Sequence, residues 1–139
     1  MKIILQEKNY FVLRFDKDEE VLEGLRKFMQ EQAVSACAFF GVGACSSAEL
    51  LHYNSHVKVY RSKPYFEDLE MVSFGGNGGV MDDKPILHVH GSFGRNDFTV
   101  IGGHVDKAVV SGTCEIFLTK LEGALERKQN QDLNLNLLM

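Results

Sequence analysis

The chain has 139 residues and a formal net charge of −4, with 45% hydrophobic and 24% charged residues. This length predicts a single domain over residues 1–139 that can bury a core without disulfides or a structural metal. The acidic balance argues against a broad basic surface for nucleic acid. The N-terminus does not resemble a signal peptide, and no run approaches the roughly 18 apolar residues that cross a membrane. With three cysteines and no C-x-x-C pair, the sequence predicts a cytoplasmic protein with buried, reduced thiols.

The first third of the chain predicts a strand followed by one amphipathic helix. Residues 10–15 are typical of a strand, and residues 18–32 have apolar side chains at helical spacing. Asp16 and Asp18 are candidate N-caps, and acidic residues occupy the first predicted turn. The apolar stripe, which we expect in the core, consists of Val21, Leu22, Leu25, Phe28 and Met29.

Most of the remaining chain predicts strands separated by Gly, Asn and Asp clusters. The predicted strands lie near 36–40, 46–53, 56–61, 66–74, 85–93, 98–105 and 109–121. The glycine-rich segment 75–79 predicts a flexible turn. The Asn-rich tail, 124–139, has alternating leucines and predicts a last strand. One amphipathic helix packed on a largely antiparallel sheet is an α+β domain.

Three of the five histidines lie in the segment LHVHGSFGRNDFTVIGGH, residues 87–104. His88 and His90 are two apart in a predicted strand, so they project from the same face. The direction of His104 depends on the register of the following hairpin. A three-residue loop, 95–97, would place His104 opposite His88, whereas a four-residue loop would turn it away unless a bulge formed at Gly102 and Gly103.

Three neutral imidazoles would suit zinc, iron, copper or nickel. Zinc with three protein ligands keeps a fourth position for water, a substrate or a small anion. A closed structural site would need a fourth side chain, for which Glu49, Asp97 and Asp106 are candidates. The alternative is that the histidines are polar residues on the wetter face of a hairpin. The residues alone leave both interpretations open.

The other motifs are weaker indications of a functional site. His52 and His56 lie near a predicted turn, where we expect them to be exposed. The only evident basic clusters are at 61–63 and 127–128, and Arg14 or Arg95 could hold an anionic ligand. We find no catalytic triad, nucleophilic cysteine context or dinucleotide-binding fingerprint. The sequence therefore identifies no catalytic residue and no general base.

The segments EDLEMVSFGGNGG and DDKPILHVHGSFGRNDFTVIGGHV resemble the plants-and-prokaryotes-conserved (PPC) domain. The resemblance covers about residues 8–123 and is most specific at P-x-L-H-x-H and at the later Gly-Gly-His. It implies an α+β fold, a homotrimer with sites near subunit interfaces, and a metal, commonly zinc, on His88, His90 and His104. It also carries a DNA-binding label, although the AT-hook core Arg-Gly-Arg-Pro of plant members is absent here.

Three functions follow as hypotheses. The first is a trimeric metal-binding domain whose open coordination position binds or transforms a small molecule. The second is a DNA-binding protein, as the resemblance suggests. The third is a purely structural oligomerisation module whose partners lie elsewhere.

Overall fold

The computed structural model describes all 139 residues and consists of strands, one helix and short connections. The strands are β1 (Lys2–Glu7), β2 (Tyr10–Asp16), β3 (Cys37–Asn54), β4 (Val59–Tyr65), β5 (Leu69–Met81), β6 (Lys84–Gly94), β7 (Val100–Lys120), β8 (Arg127–Asn130) and β9 (Leu135–Leu138). The helix is α1 (Val21–Glu31). One helix with antiparallel strands agrees with the α+β expectation in part, because the sheet dominates the structure.

The main sheet has seven strands in the order β1-β2-β7-β6-β5-β3-β4, all paired antiparallel. β3 also pairs with β7, so β7, β6, β5 and β3 form a closed circuit of hydrogen-bonded strands. The core contains 26 buried residues from the sheet, the helix and the segments next to it. This closed arrangement holds β6 and the start of β7, which carry the three histidines, in a fixed register.

The helix begins later than predicted and has a different N-cap. The N-cap is Glu20, whose carboxylate accepts hydrogen bonds from the backbone N–H groups of Leu22 and Glu23. The proposed caps were wrong: Asp16 ends β2 and pairs with Arg14, and Asp18 has a left-handed backbone, φ 69°. The predicted apolar stripe is confirmed, since all five of its residues are buried.

Several predicted segments are parts of longer strands. The segments 36–40 and 46–53 join in β3, and 98–105 and 109–121 join in β7, with bulges between the halves. The flexible turn predicted at 75–79 was wrong, because the segment lies within β5: Gly75, Gly76 and Gly78 pair with both β3 and β6, and Gly79 pairs with β6. Close packing explains the glycines: a Cβ at Gly76 would lie 1.9 Å from the His88 carbonyl oxygen, and one at Gly78 would lie 2.6 Å from the Met29 sulfur.

The C-terminal tail forms a hairpin of its own. β8 and β9 make a separate two-stranded sheet, joined to β5 through a bridge between Val80 and Glu126. The last predicted strand is thus present as β9. The three cysteines are buried and free, as predicted. No helix in the structure has the length and apolar character needed to cross a membrane.

Candidate metal centre

Strand register brings the three histidines to one face. β6 and β7 pair with His90 opposite His104 and Gly94 opposite Val100, and this pairing contains no bulge. The connecting loop is therefore 95–99, five residues long. Its odd length keeps His104 on the face shared by His88 and His90, because adding two residues to a loop preserves the face. The extra pair of residues explains why His104 lies opposite His90 rather than His88.

The three imidazoles form a compact triangle. Their ring centroids are 5.2 Å apart for His88 and His90 and 5.4 Å apart for both pairs that include His104. Each ring offers a nitrogen, and these three nitrogens all lie within 4.8 Å of one another. Three imidazole nitrogens at this separation can converge on one ion with small rotations of their side chains.

Burial favours the neutral form of two of the three imidazoles, His88 and His104. Burial, followed by the neighbouring His88 and His90, lowers the pKa of His104 to about 4. Burial also lowers the pKa of His88, with smaller contributions from Arg127 and His90. The Nδ1 atom of His104 is buried and has no hydrogen-bond partner. A neutral imidazole with a buried, unpartnered nitrogen is the form that coordinates a metal.

The acidic residues considered as a fourth ligand do not join the triangle. The only group of potential ligands that the structure brings together is His88, His90 and His104. Glu49 accepts a hydrogen bond from the Ser62 hydroxyl, and Asp97 accepts two from Thr99 in the hairpin loop. Asp106 acts on His104 only as a more distant charge. The chain itself therefore presents three nitrogen ligands and leaves a coordination position open.

The two arginines considered as anion-binding groups already have acidic partners. Arg14 donates to Asp16 at 2.9 Å, and Arg95 donates to Glu67 at 3.0 Å. His52 and His56 are exposed and stand apart from the triangle, as predicted.

Arg127 is the site residue that the sequence reading missed. The basic pair at 127–128 does not form a surface patch, because Arg127 is only 7% exposed. Its guanidinium donates to the Asn136 carbonyl oxygen at 2.8 Å and to the Asn77 side-chain oxygen at 2.7 Å. No sequence spacing connects position 127 with His88, because the contact depends on how the C-terminal hairpin folds back.

A cavity of about 400 Å³ lies beside the triangle. His88, His104 and Arg127 line it together with Asn77 and Tyr60, and the Tyr60 ring lies 5.5 Å from the His104 ring. The β8–β9 hairpin supplies three leucines and two asparagines to the cavity wall. A small molecule in this cavity would contact both the histidine triangle and the buried guanidinium.

Comparisons with known proteins agree with this description. The family model for the Plants and Prokaryotes Conserved (PCC) domain matches residues 4–122. A metal-containing protein from Archaeoglobus fulgidus is 32% identical, with a TM-score of 0.89 over 100% of this chain and 99% of that chain. A "putative DNA-binding protein" from Bacteroides thetaiotaomicron is 26% identical, with a TM-score of 0.94 over 97% of this chain and 94% of that chain.

A plant- and prokaryote-conserved (PPC) protein from Pyrococcus horikoshii is 27% identical, with a TM-score of 0.88 over 94% of this chain and 90% of that chain. No curated protein sequence matches the chain.

Proposed function

Since the chain belongs to the Plants and Prokaryotes Conserved (PCC) domain family, we propose that it binds one divalent transition metal on His88, His90 and His104. The observation that carries the proposal is the convergence of three imidazole nitrogens within 4.8 Å on one face of the sheet. The name of the A. fulgidus protein, which describes it as metal-containing, supports the same conclusion.

The environment of the triangle favours coordination over a cluster of hydrogen-bonded surface histidines. A hydrogen-bonded cluster would satisfy the ring nitrogens with protein partners, yet the buried Nδ1 of His104 has none. Leaving a buried polar atom unpaired costs about 1–3 kcal/mol. A metal bound by the triangle, directly or through reorientation of the ring, would remove that cost.

Zinc is the ion that best suits the donor set. Three neutral nitrogen ligands with an open position are the arrangement that proteins use for zinc sites that bind a further ligand. Iron, copper and nickel also bind imidazole ligands, so metal analysis of the purified protein has to identify the ion. When bound, the ion would supply Lewis acidity at the open position, and the cavity beside it would hold the small molecule.

Metal analysis tests the proposal. We expect about one equivalent of metal per chain after zinc loading and dialysis, and we expect the His88→Ala/His104→Ala double variant to retain none. His52→Ala is the matched control, because it removes an exposed histidine outside the triangle. A wild-type protein that cannot be loaded stoichiometrically would refute the proposal and favour a purely structural module.

We also propose that the chain forms a homotrimer, which is the assembly the family resemblance implies. Support comes from an apolar patch on the sheet: Phe40 and Phe117 are 64% and 42% exposed and stack with centroids 5.2 Å apart, next to the exposed Val42. Large apolar patches on a free monomer are uncommon. Sedimentation equilibrium should give a trimer for the wild type and a smaller species for Phe40→Asp. A monomeric wild type at micromolar concentration would contradict the assembly.

DNA binding is a second candidate, favoured by the names of similar structures and by one local feature. Arg61 and Lys63 are exposed on the edge strand β4 and form no ion pair. The net charge of −4 limits such binding to a small patch. If the patch binds duplex DNA, affinity should fall steeply between about 50 and 200 mM salt, and Arg61→Ala/Lys63→Ala should abolish binding. Absence of binding at low salt would exclude this candidate.

A further inference from the structure

Arg127 is a buried cation without an anionic partner. Its side chain is 7% exposed, and both of its hydrogen bonds go to neutral oxygen atoms, on Asn136 and Asn77. None of the ion pairs in the structure includes it. A guanidinium has five N–H donors, so three remain without a protein acceptor, and the buried Nε is among them. Burying a charge in this way is costly unless something compensates it.

Two histidines of the triangle border the same cavity. His88, His104 and Arg127 line it together, and none of its twelve lining residues is an aspartate or a glutamate. A divalent ion on three neutral imidazoles would therefore add two positive charges beside the guanidinium, with no carboxylate in the lining to balance them. This excess makes the cavity selective for an anion.

The lining of the cavity favours a carboxylate over a phosphate. A planar guanidinium can pair with two oxygens of either group, so the neighbouring residues distinguish them. Arg127 is the only arginine or lysine in the lining, and three leucines of the β8–β9 hairpin line the wall beside it, so a phosphate would have one cationic side chain for its two negative charges. The glycine-rich segment 75–79 does not form a phosphate-binding loop, because it lies within the paired strand β5.

We propose that this cavity binds a small monocarboxylate with a short apolar tail. Its carboxylate would pair with Arg127 and face the open side of the histidine triangle, and its tail would pack on Leu135 and Leu137 of the C-terminal hairpin. The inference rests on the proposed metal site. It assigns Arg127 as the residue that selects the charge of the ligand.

Butyrate binding to the cobalt-loaded protein tests the inference, because the visible absorption of Co²⁺ responds to a change at its open coordination position. We expect a saturable spectral change with butyrate and none with butanol, which has the same apolar tail without the charge. Losing a hydrogen bond to a charged group corresponds to a weakening of about 10- to 100-fold. That is the effect expected for Arg127→Gln. Lys128→Gln is the matched control, since it removes a positive charge from the adjacent, exposed position.

The outcomes separate this inference from the metal proposal. Failure to retain stoichiometric cobalt overturns the metal site and this inference with it. Stoichiometric cobalt with equal butyrate affinity in the wild type and Arg127→Gln overturns the role of Arg127 alone, and tighter binding of inorganic phosphate than of butyrate overturns the ligand class. If Arg127→Gln does not keep the wild-type melting temperature, Arg127→Lys replaces it. That variant keeps the charge but loses the planar fork, so it should still weaken butyrate binding.

Discussion

Gly76→Ala should damage both the stability of the fold and the metal site. Gly76 lies in β5 opposite Val89, next to the strand position that carries His88. An alanine Cβ at this position would lie 1.9 Å from the His88 carbonyl oxygen, and real Cβ contacts are essentially never shorter than 3.0 Å. The backbone of β6 would therefore have to move by about 1 Å at His88, since a carbonyl cannot rotate away as a flexible side chain can.

The expected magnitude follows from this overlap. Overpacking of this kind costs about 1–3 kcal/mol, which for a chain of this size corresponds to a fall in melting temperature of about 4–12 °C. Displacing His88 should also weaken zinc binding by about tenfold or more, the range seen when groups that orient metal ligands are altered. Thermal unfolding in EDTA measures the first effect, and competition with a chromophoric chelator measures the second.

Gly112→Ala provides the matched control. Gly112 lies in β7, and a Cβ there would meet no atom within 4 Å. This variant should unfold within about 2 °C of the wild type and keep its zinc affinity. If Gly76→Ala behaves like Gly112→Ala in both assays, β6 does not pack against β5 closely enough at Gly76 to exclude a methyl group.

Three further predictions concern pH, the helix cap and the thiols. The pKa of His104 is about 4 in the folded protein, against an ordinary value of 6.5, so the unfolded chain takes up a proton that the metal-free native state resists. The lowered pKa of His104 therefore costs no stability above pH 6.5, and the free energy of unfolding decreases as the pH falls from 6.5 to about 4. The melting temperature in EDTA should fall over this range, and it should fall less for His104→Gln. Glu20→Ala removes acceptors for the N–H groups of Leu22, Glu23 and Ala108, and urea unfolding should show a loss of about 1–2 kcal/mol; a loss below a few tenths would contradict the cap. Burial raises the pKa of Cys37 to about 11 and those of Cys45 and Cys114 to about 12, so a thiol reagent at pH 8 should label none of the three in the native protein and all three in denaturant.

Local patterns in the sequence were sufficient for the apolar face of the helix and for two of the three histidines in the triangle. The apolar stripe of α1 is readable because helical periodicity places its residues on one face whatever the helix packs against. His88 and His90 share a face for a similar reason, since alternation in a strand does not depend on its neighbours. The helix cap was harder to predict, because Glu20 also bonds to the backbone of Ala108 in β7, a contact that no local pattern contains.

Tertiary structure decided the rest of the site. His104 joins the triangle because the hairpin loop has five residues, and loop length depends on how the closed sheet aligns β6 with β7. Gly76 looked like part of a turn because glycine serves both turns and tight strand packing, and only the neighbouring strand shows which applies. Arg127 enters the cavity because the C-terminal hairpin folds against β5. The sequence by itself determined which side chains could bind a metal, through their chemistry and strand periodicity. The tertiary structure determined that a third imidazole and a buried guanidinium meet them, because long-range register and packing bring together residues that are distant in the chain.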